Sequence, residues 1–233
     1  SDISFEAKRG ETIGIIGGTG SGKTTLINLI PRFYDATSGD ILLDGLSIKE
    51  YSKEALNSKI GYVPQKATLF SGSVHENVSY GYSYGNKPTR EDVKNAINIA
   101  QAEDFVLNMD GEYDAQIARS GNNISGGQKQ RLQIARAIAR KPQIYIFDDS
   151  FSALDYKTDA LVRKAIKDVS SESTKFIVSQ RIGTIRYSDK IIVLENGHVV
   201  GLGTHDELLD NCPEYRSMAE AQLRKEELYN GKI

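Results

Sequence analysis

The sequence predicts an α/β fold, a parallel-sheet core with a small antiparallel β region beside it and a helical subdomain inserted into it. Three observations carry that prediction. The run Thr12 to Gly17 is β-branched, ends in glycines and leads into Lys23 to Phe33, where Leu26, Leu29, Ile30 and Phe33 recur at helical spacing. The runs Ile144 to Phe147 and Phe176 to Val178 are continuously apolar, the pattern of parallel strands buried on both faces. Between these strand regions, from about Thr68, the chain turns polar and helix-forming.

Taken in order, Pro31 and the cluster from Asp35 to Gly39 end the first helix, and Asp40 to Leu43 with the turn Asp44-Gly45 predicts a hairpin. A Tyr- and Gly-rich loop is expected from Ser79 to Lys87. Thr89, with Asp92 three residues on, then opens a helix striped by Val93, Ala96, Ile97 and Ala100. A second helix begins near Ser125, carries Leu132, Ala135 and Ala139 on one face, and stops at Lys141-Pro142. Ile191 to Leu194, Asn196-Gly197 and His198 to Val200 read as a hairpin with a two-residue turn. The expected division is 1–66 and 141–233 for the core with its β region and C-terminal helices, and 67–140 for the helical subdomain.

Bulk properties narrow the function. At 233 residues the chain suits one large domain with a smaller lobe. Hydrophobic residues make up 39% and charged residues 26%, and the mean hydropathy of -0.40 carries no membrane-spanning character, so any transmembrane part is expected elsewhere. A formal charge of -2 with scattered basic residues argues against nucleic acid as a partner. The one cysteine, Cys212, excludes an intrachain disulfide, suits a reducing compartment and is read as structurally neutral. The chain opens at Ser1 without a signal-like segment and reads as a piece of a longer protein.

Gly17-Gly18-Thr19-Gly20-Ser21-Gly22-Lys23-Thr24 has the spacing of a phosphate-binding loop, with the required strand before it and helix after it. Glycines let backbone N–H groups turn inward and approach phosphate oxygens closely. Lys23 is placed to reach the β- and γ-phosphates, Thr24 to ligate Mg²⁺, and Thr25 completes the ATP-binding set. Asp148, after an apolar strand, is the natural second Mg²⁺ residue, and Asp149 stands where a general base would polarise water. Taken alone, an Asp-Asp pair at a strand end is also a turn former or helix cap. A phosphate loop upstream favours the catalytic reading.

Ile124-Ser125-Gly126-Gly127-Gln128 is more specific. Ser125 and Gln128 have capping-box spacing, but a cap needs no glycines in its first turn, where each costs about 1 kcal/mol relative to alanine. They make sense if a phosphate must approach that turn. Here the sequence resembles the ATP-binding cassette (ABC) family, with Ser125, Gly126, Gly127 and Gln128 as its signature. Gln65 in Tyr62-Val63-Pro64-Gln65 resembles the Q-loop, Ser152-Ala153-Leu154-Asp155 the D-loop, and Ile144 to Asp148 the Walker B strand. The resemblance covers nearly the whole chain and implies a P-loop NTPase with a RecA-like core, an antiparallel β subdomain and an inserted α-helical subdomain carrying the signature. It also implies Gln65 as a further Mg²⁺ and catalytic residue, and two cassettes closing head to tail around two ATP molecules.

Phe70-Ser71-Gly72-Ser73-Val74 with Glu76-Asn77, and Gly203-Thr204-His205-Asp206-Glu207-Leu208, resemble the exporter branch. That branch carries the cassette after six transmembrane helices of the same polypeptide, which implies the cytoplasmic face of a membrane as its location. The chain also departs from the family. Asp149 stands where glutamate is usual, Gln180 where the switch histidine is expected, and Arg119 near a usual glutamate. Asp149 shortens the catalytic arm by on the order of 1 Å, and glutamine can neither carry an imidazole's charge nor shuttle its proton. These departures predict a site that binds ATP and hydrolyses it poorly, paired with a different cassette that keeps its own glutamate and histidine. The aromatic residue on which the family stacks adenine is expected upstream of Ser1. A non-transport cassette and a purely regulatory ATP clamp are the competing readings. His75, His198 and His205 lack metal-ligand spacing and are assigned surface or packing roles.

Overall fold

The computed structural model describes residues 2–81 and 87–223, so the middle of the loop expected at Ser79 to Lys87 lies outside the described residues. The chain runs through β1 (Thr12–Gly17), α1 (Lys23–Leu29), β2 (Leu42–Leu43), β3 (Leu46–Ser47), α2 (Lys53–Ser58), β4 (Ile60–Val63), β5 (Gly72–Ser73), α3 (Val74–Val78), α4 (Arg90–Ile99), α5 (Glu103–Leu107) and β6 (Gln116–Ile117). It continues through α6 (Gly126–Ala139), β7 (Ile144–Asp148), α7 (Tyr156–Val169), β8 (Thr174–Val178), α8 (Ile182–Ile185), β9 (Lys190–Glu195), β10 (His198–Gly203), α9 (His205–Asn211) and α10 (Pro213–Gln222).

Six strands form one sheet in the order β10-β9-β1-β8-β7-β4. The five from β9 to β4 are mutually parallel, and β10 pairs antiparallel with β9. β7 and β8 are buried along their whole length, as their apolar runs predict. Alternation divides the side chains between two cores. Ile13, Ile15, Ile146, Phe176, Val178, Ile192 and Leu194 pack on one face with Ile27 of α1, while Ile16, Phe147, Ile177, Ile191 and Val193 pack on the other with residues of α6, α7 and α8. β1 therefore lies in the middle of the sheet, and the loop that follows it is anchored from both sides.

Both predicted hairpins form. Asp44 (φ 54°) and Gly45 (φ 79°), and likewise Asn196 (φ 48°) and Gly197 (φ 81°), take the positive φ pair of a two-residue hairpin turn. Thr89 and Asp92 close a reciprocal capping box on α4, and Ser125 and Gln128 do the same on α6. The first helix is shorter than its apolar spacing predicts. It ends at Leu29, because Pro31 lacks an N–H and Arg32 turns to φ 59°. Phe33 is consequently 54% exposed and packs edge-on against Tyr62 at 5.4 Å, leaving Ile27 as the fully buried apolar side chain of α1.

The lobe between β4 and β7 holds a feature that apolar patterning does not reveal. Arg136 of α6 is buried, donating to the carbonyls of Asn77 (2.7 Å) and Thr68 (3.0 Å) and to Asn77 Oδ1 (3.0 Å), beneath the rings of Phe70 and Tyr80. Burial pulls its pKa down to about 10. Removing the guanidinium orphans the buried Asn77 carbonyl at about 1–3 kcal/mol and strips two weaker bonds, from Asn77 Oδ1 and from the Thr68 carbonyl. Arg136→Met is therefore expected to lower the unfolding free energy by about 2–4 kcal/mol, read from the urea midpoint.

Candidate functional site

The phosphate loop lies at the carboxyl edge of the sheet, where open parallel sheets collect ligands. Its path depends on glycine. A Cβ at Gly17 would stand 2.1 Å from the Leu194 carbonyl oxygen of β9, and Gly22, the cap of α1, has φ 98°. Lys23 folds back under the loop and donates to the carbonyls of Gly17 (2.8 Å) and Gly18 (2.7 Å), with Ser21 Oγ at 3.4 Å. Desolvation pulls the Lys23 pKa down, and the charges of Asp149 and Asp148 oppose that shift. The ammonium is thus held in place before any phosphate arrives. Thr19 and Gly20 stand exposed at the outer turn of the loop, and Thr25 is exposed on α1.

Thr24 donates from Oγ1 to Asp148 Oδ1 at 3.0 Å, so the two oxygens assigned to Mg²⁺ already converge. A hydroxyl and a carboxylate fit a hard cation that completes its shell with water and phosphate oxygens. Tyr62, to which the sequence alone assigns no role, joins this pair. Its hydroxyl lies 3.2 Å from Asp148 Oδ2 and 3.0 Å from Asn28 Oδ1, and burial beside Asp148 pushes the phenol pKa up. Its signal was a single polar hydroxyl in the otherwise apolar strand β4, paired in register with Ile146 of β7. Tyr62→Phe is expected to cost about 1 kcal/mol of stability and to weaken Mg²⁺-dependent nucleotide binding more than Mg²⁺-free binding, as titrations with and without the metal would show.

Asp149 follows at φ 46°, a left-handed conformation that Asp and Asn adopt more readily than longer side chains. Gln65 Nε2 donates to Asp149 Oδ2 at 3.1 Å. Gln65 therefore stands against Asp149, with no bond to the Thr24–Asp148 pair. Burial raises the pKa of both aspartates. For Asp148 this is opposed by Thr24, Tyr62 and Lys23; for Asp149 it is reinforced by Asp148 and opposed by Ser152, Gln65 and Arg181. A carboxyl whose pKa is higher folded than unfolded destabilises the fold as pH rises from the unfolded value through the folded one. Asp149→Asn, which keeps the left-handed preference, should therefore raise the thermal midpoint of the nucleotide-free chain at pH 7. That gain should vanish below the ordinary carboxylate range, a pattern calorimetry across pH can check.

The D-loop adjoins this cluster. Ser152 Oγ donates to the Asp149 carbonyl at 2.6 Å, Leu154 is buried, and Ser152 and Ala153 face outward. Asp155 caps α7, accepting from Thr158 N (3.0 Å) and Thr158 Oγ1 (2.7 Å). Arg181, which sequence reasoning missed, donates to the carbonyls of Ser152 (3.0 Å) and Leu154 (3.4 Å) and stacks over Tyr156. Gln180 is exposed at the end of β8.

Ser125 to Gln128, the signature of the resemblance, form the cap and first turn of α6. Ser125 Oγ accepts from Gln128 N at 3.2 Å, and Gln128 Oε1 accepts from Ser125 N at 2.8 Å. Gly126 has open space around the position of a Cβ, and Gly127 meets only the Ala153 carbonyl at 3.4 Å. Packing among the described residues does not demand either glycine. Arg119, the other departure in this lobe, is exposed in a short 3₁₀ turn in which Ser120 has φ 58°. His205 is buried and bonds through Nδ1 to Tyr215 Oη at 2.7 Å, a packing role. No group of three or more His, Cys, Asp or Glu side chains among the described residues could hold a metal.

A glycine loop between a central parallel strand and a helix, a lysine beneath it, and a threonine bonded to an aspartate on a neighbouring strand define a P-loop nucleoside-triphosphatase. The family model for ABC transporters matches residues 1–152. The chain belongs to the ABC transporter family and is an ATP-binding, ATPase domain of it. An uncharacterized ABC transporter ATP-binding protein of Mycobacterium tuberculosis is 48% identical over 221 residues, covering 95% of this chain and 38% of that protein. A Staphylococcus aureus protein provisionally named a multidrug export ATP-binding/permease protein is 44% identical over 223 residues, with 95% and 38% covered. The solved structure of a bacterial Atm1-family ABC exporter with ATP bound superposes at a TM-score of 0.90 with 34% identity, covering 96% of this chain and 39% of that one. The chain thus spans well under half the length of these relatives, and among the described residues no helix is long and apolar enough to cross a membrane.

Proposed function

We propose that this chain is the ATP-binding cassette of an exporter at the cytoplasmic face of a membrane, the half with the degenerate site in a heterodimeric pair. Gly17 to Thr25 hold ATP, with Lys23 leaving the Gly17 and Gly18 carbonyls for the β- and γ-phosphates. Thr24 and Asp148 hold Mg²⁺, which when bound neutralises phosphate charge, and Gln65 joins them by leaving Asp149. Ser125 to Gln128 complete the site of a second cassette that carries its own glutamate and histidine, and Ser152 to Asp155 line the contact between the two. Residues 67–140 are the lobe that carries the signature, and the transmembrane part belongs to the same longer chain.

One observation carries the degenerate-site reading. The carboxylate next to Asp148 sits on the short arm of Asp149, held by Gln65 at 3.1 Å, while the switch position offers the uncharged Gln180. Neither residue provides a long, mobile base or an imidazole for proton transfer. The export reading is supported by the Staphylococcus relative's name and by the likeness to the Atm1-family structure. Two measurements test it: ATP turnover by this chain against Asp149→Glu/Gln180→His, and the reading frame upstream of Ser1. Equal turnover by parent and double variant would refute the degenerate site. An upstream frame without apolar spans, and neighbouring frames without them, would refute the transporter assignment.

A further inference from the structure

Gln222, the last residue of α10, bonds both sides of the segment that follows β8. Its Nε2 donates to the Gln180 carbonyl at 2.9 Å, and its Oε1 accepts from Ile182 N at 2.9 Å. The two bonds close a ring around Arg181. We propose that Gln222 is a positioning residue through which α10 sets where the Gln180 side chain stands relative to the nucleotide. The proposal rests on the reading of Gln180 as the residue that faces the γ-phosphate.

Three features make this more than a surface contact. α8 begins at Ile182 with no side-chain cap from Arg181, so the otherwise orphaned N–H of its first residue is satisfied from α10. α10 is itself anchored, since Tyr215 and Ala219 are fully buried and Tyr215 Oη bonds His205 at 2.7 Å. Gln222 therefore sits at the end of a fixed arm. On the opposite side, Arg181 grips the D-loop through Ser152 and Leu154, and its own N–H donates to Ser179 Oγ at 3.0 Å. The segment that carries Gln180 is suspended between the D-loop, which faces the second cassette, and α10, and displacement of either moves it.

The clasp also specifies its residue type. A primary amide presents one donor and one acceptor side by side, matching a carbonyl and an N–H two residues apart. A carboxylate of the same length keeps the bond from Ile182 N and sets an anion against the Gln180 carbonyl. Gln222→Glu should therefore preserve protection at Ile182 yet displace Gln180, whereas Gln222→Ala should lose both bonds.

The test uses the 233-residue chain and two readouts. Amide exchange at Ile182 should be about tenfold faster in Gln222→Ala and near the parent value in Gln222→Glu, with α10 protection unchanged in both. In the Asp149→Glu/Gln180→His background, both Gln222 variants should lower kcat about tenfold while KM for Mg-ATP stays within about twofold. Unchanged exchange at Ile182 in Gln222→Ala overturns the proposal. So does unchanged kcat in an active background, or a fall in kcat accompanied by loss of α10 protection, which is what a purely structural residue gives. If that background fails to hydrolyse ATP, the degenerate-site reading falls separately, and ATP-induced protection of residues 180–186 decides the clasp. Its loss in Gln222→Ala supports the proposal and its retention overturns it.

Discussion

Asp149→Glu combined with Gln180→His is expected to hydrolyse ATP about 100-fold faster than the parent chain, in an assay that needs no second protein, because two copies of the variant supply both halves of each site. The magnitude follows from geometry. The extra methylene moves the carboxylate outward by on the order of 1 Å, and misplacement on that scale changes rates by about 10²-fold. The histidine adds a charge and a proton-transfer group that glutamine lacks. The gain carries a structural penalty: Asp149 has φ 46°, and a longer side chain there is strained by about 1 kcal/mol. Faster turnover should therefore accompany a lower thermal midpoint. Phosphate release measured against protein concentration should rise more steeply than linearly, since the proposed competent species is a pair. A parent chain as fast as the variant would remove the case for a degenerate site.

That site was legible in the sequence to different depths. The phosphate loop, Asp148 and the signature could be read because each is a local constraint. The glycines, lysine and threonine of the loop keep a fixed spacing along the chain, and Ser125 and Gln128 close a capping box within the first turn of α6. The parallel strands β7 and β8 were equally plain, because burial on both faces leaves no polar alternation to misread. What stayed hidden depends on distant partners. Tyr62 reaches Asp148 across 86 residues, Arg181 reaches Ser152 across 29, Gln222 reaches Gln180 across 42, and Arg136 bonds to Asn77 and Thr68 of another helix and loop. Periodicity reports which face is apolar. It carries no information on which polar side chain will find a carbonyl elsewhere. The end of α1 shows two local signals in competition, since its apolar spacing runs on to Phe33 while Pro31, read as a stop, ends the helix at Leu29.

The signature gives the second large effect. Gly126→Asp should leave the isolated chain folded, because a Cβ at Gly126 meets nothing within 4 Å and aspartate suits the first turn of a helix. On the proposed pairing it should nonetheless abolish turnover at the second copy's site, because it would place a carboxylate where the γ-phosphate of that copy's ATP approaches the α6 N-terminus. Replacing a transition-state donor costs about 10²–10³ in rate, and a repelling charge costs at least as much. Complementation separates this effect from misfolding. One chain carries Asp149→Glu/Gln180→His with Gly126→Asp; the other carries Lys23→Ala, which loses its own ATP contact, with an intact Ser125 to Gln128. Each alone should be inactive. Mixed, the phosphate loop of the first and the signature of the second rebuild one working site, so activity should peak near equal amounts. A mixture as inert as its components would mean that Gly126 and Gly127 of α6 do not meet a neighbour's nucleotide. The two glycines, which no packing among the described residues requires, would then need another cause.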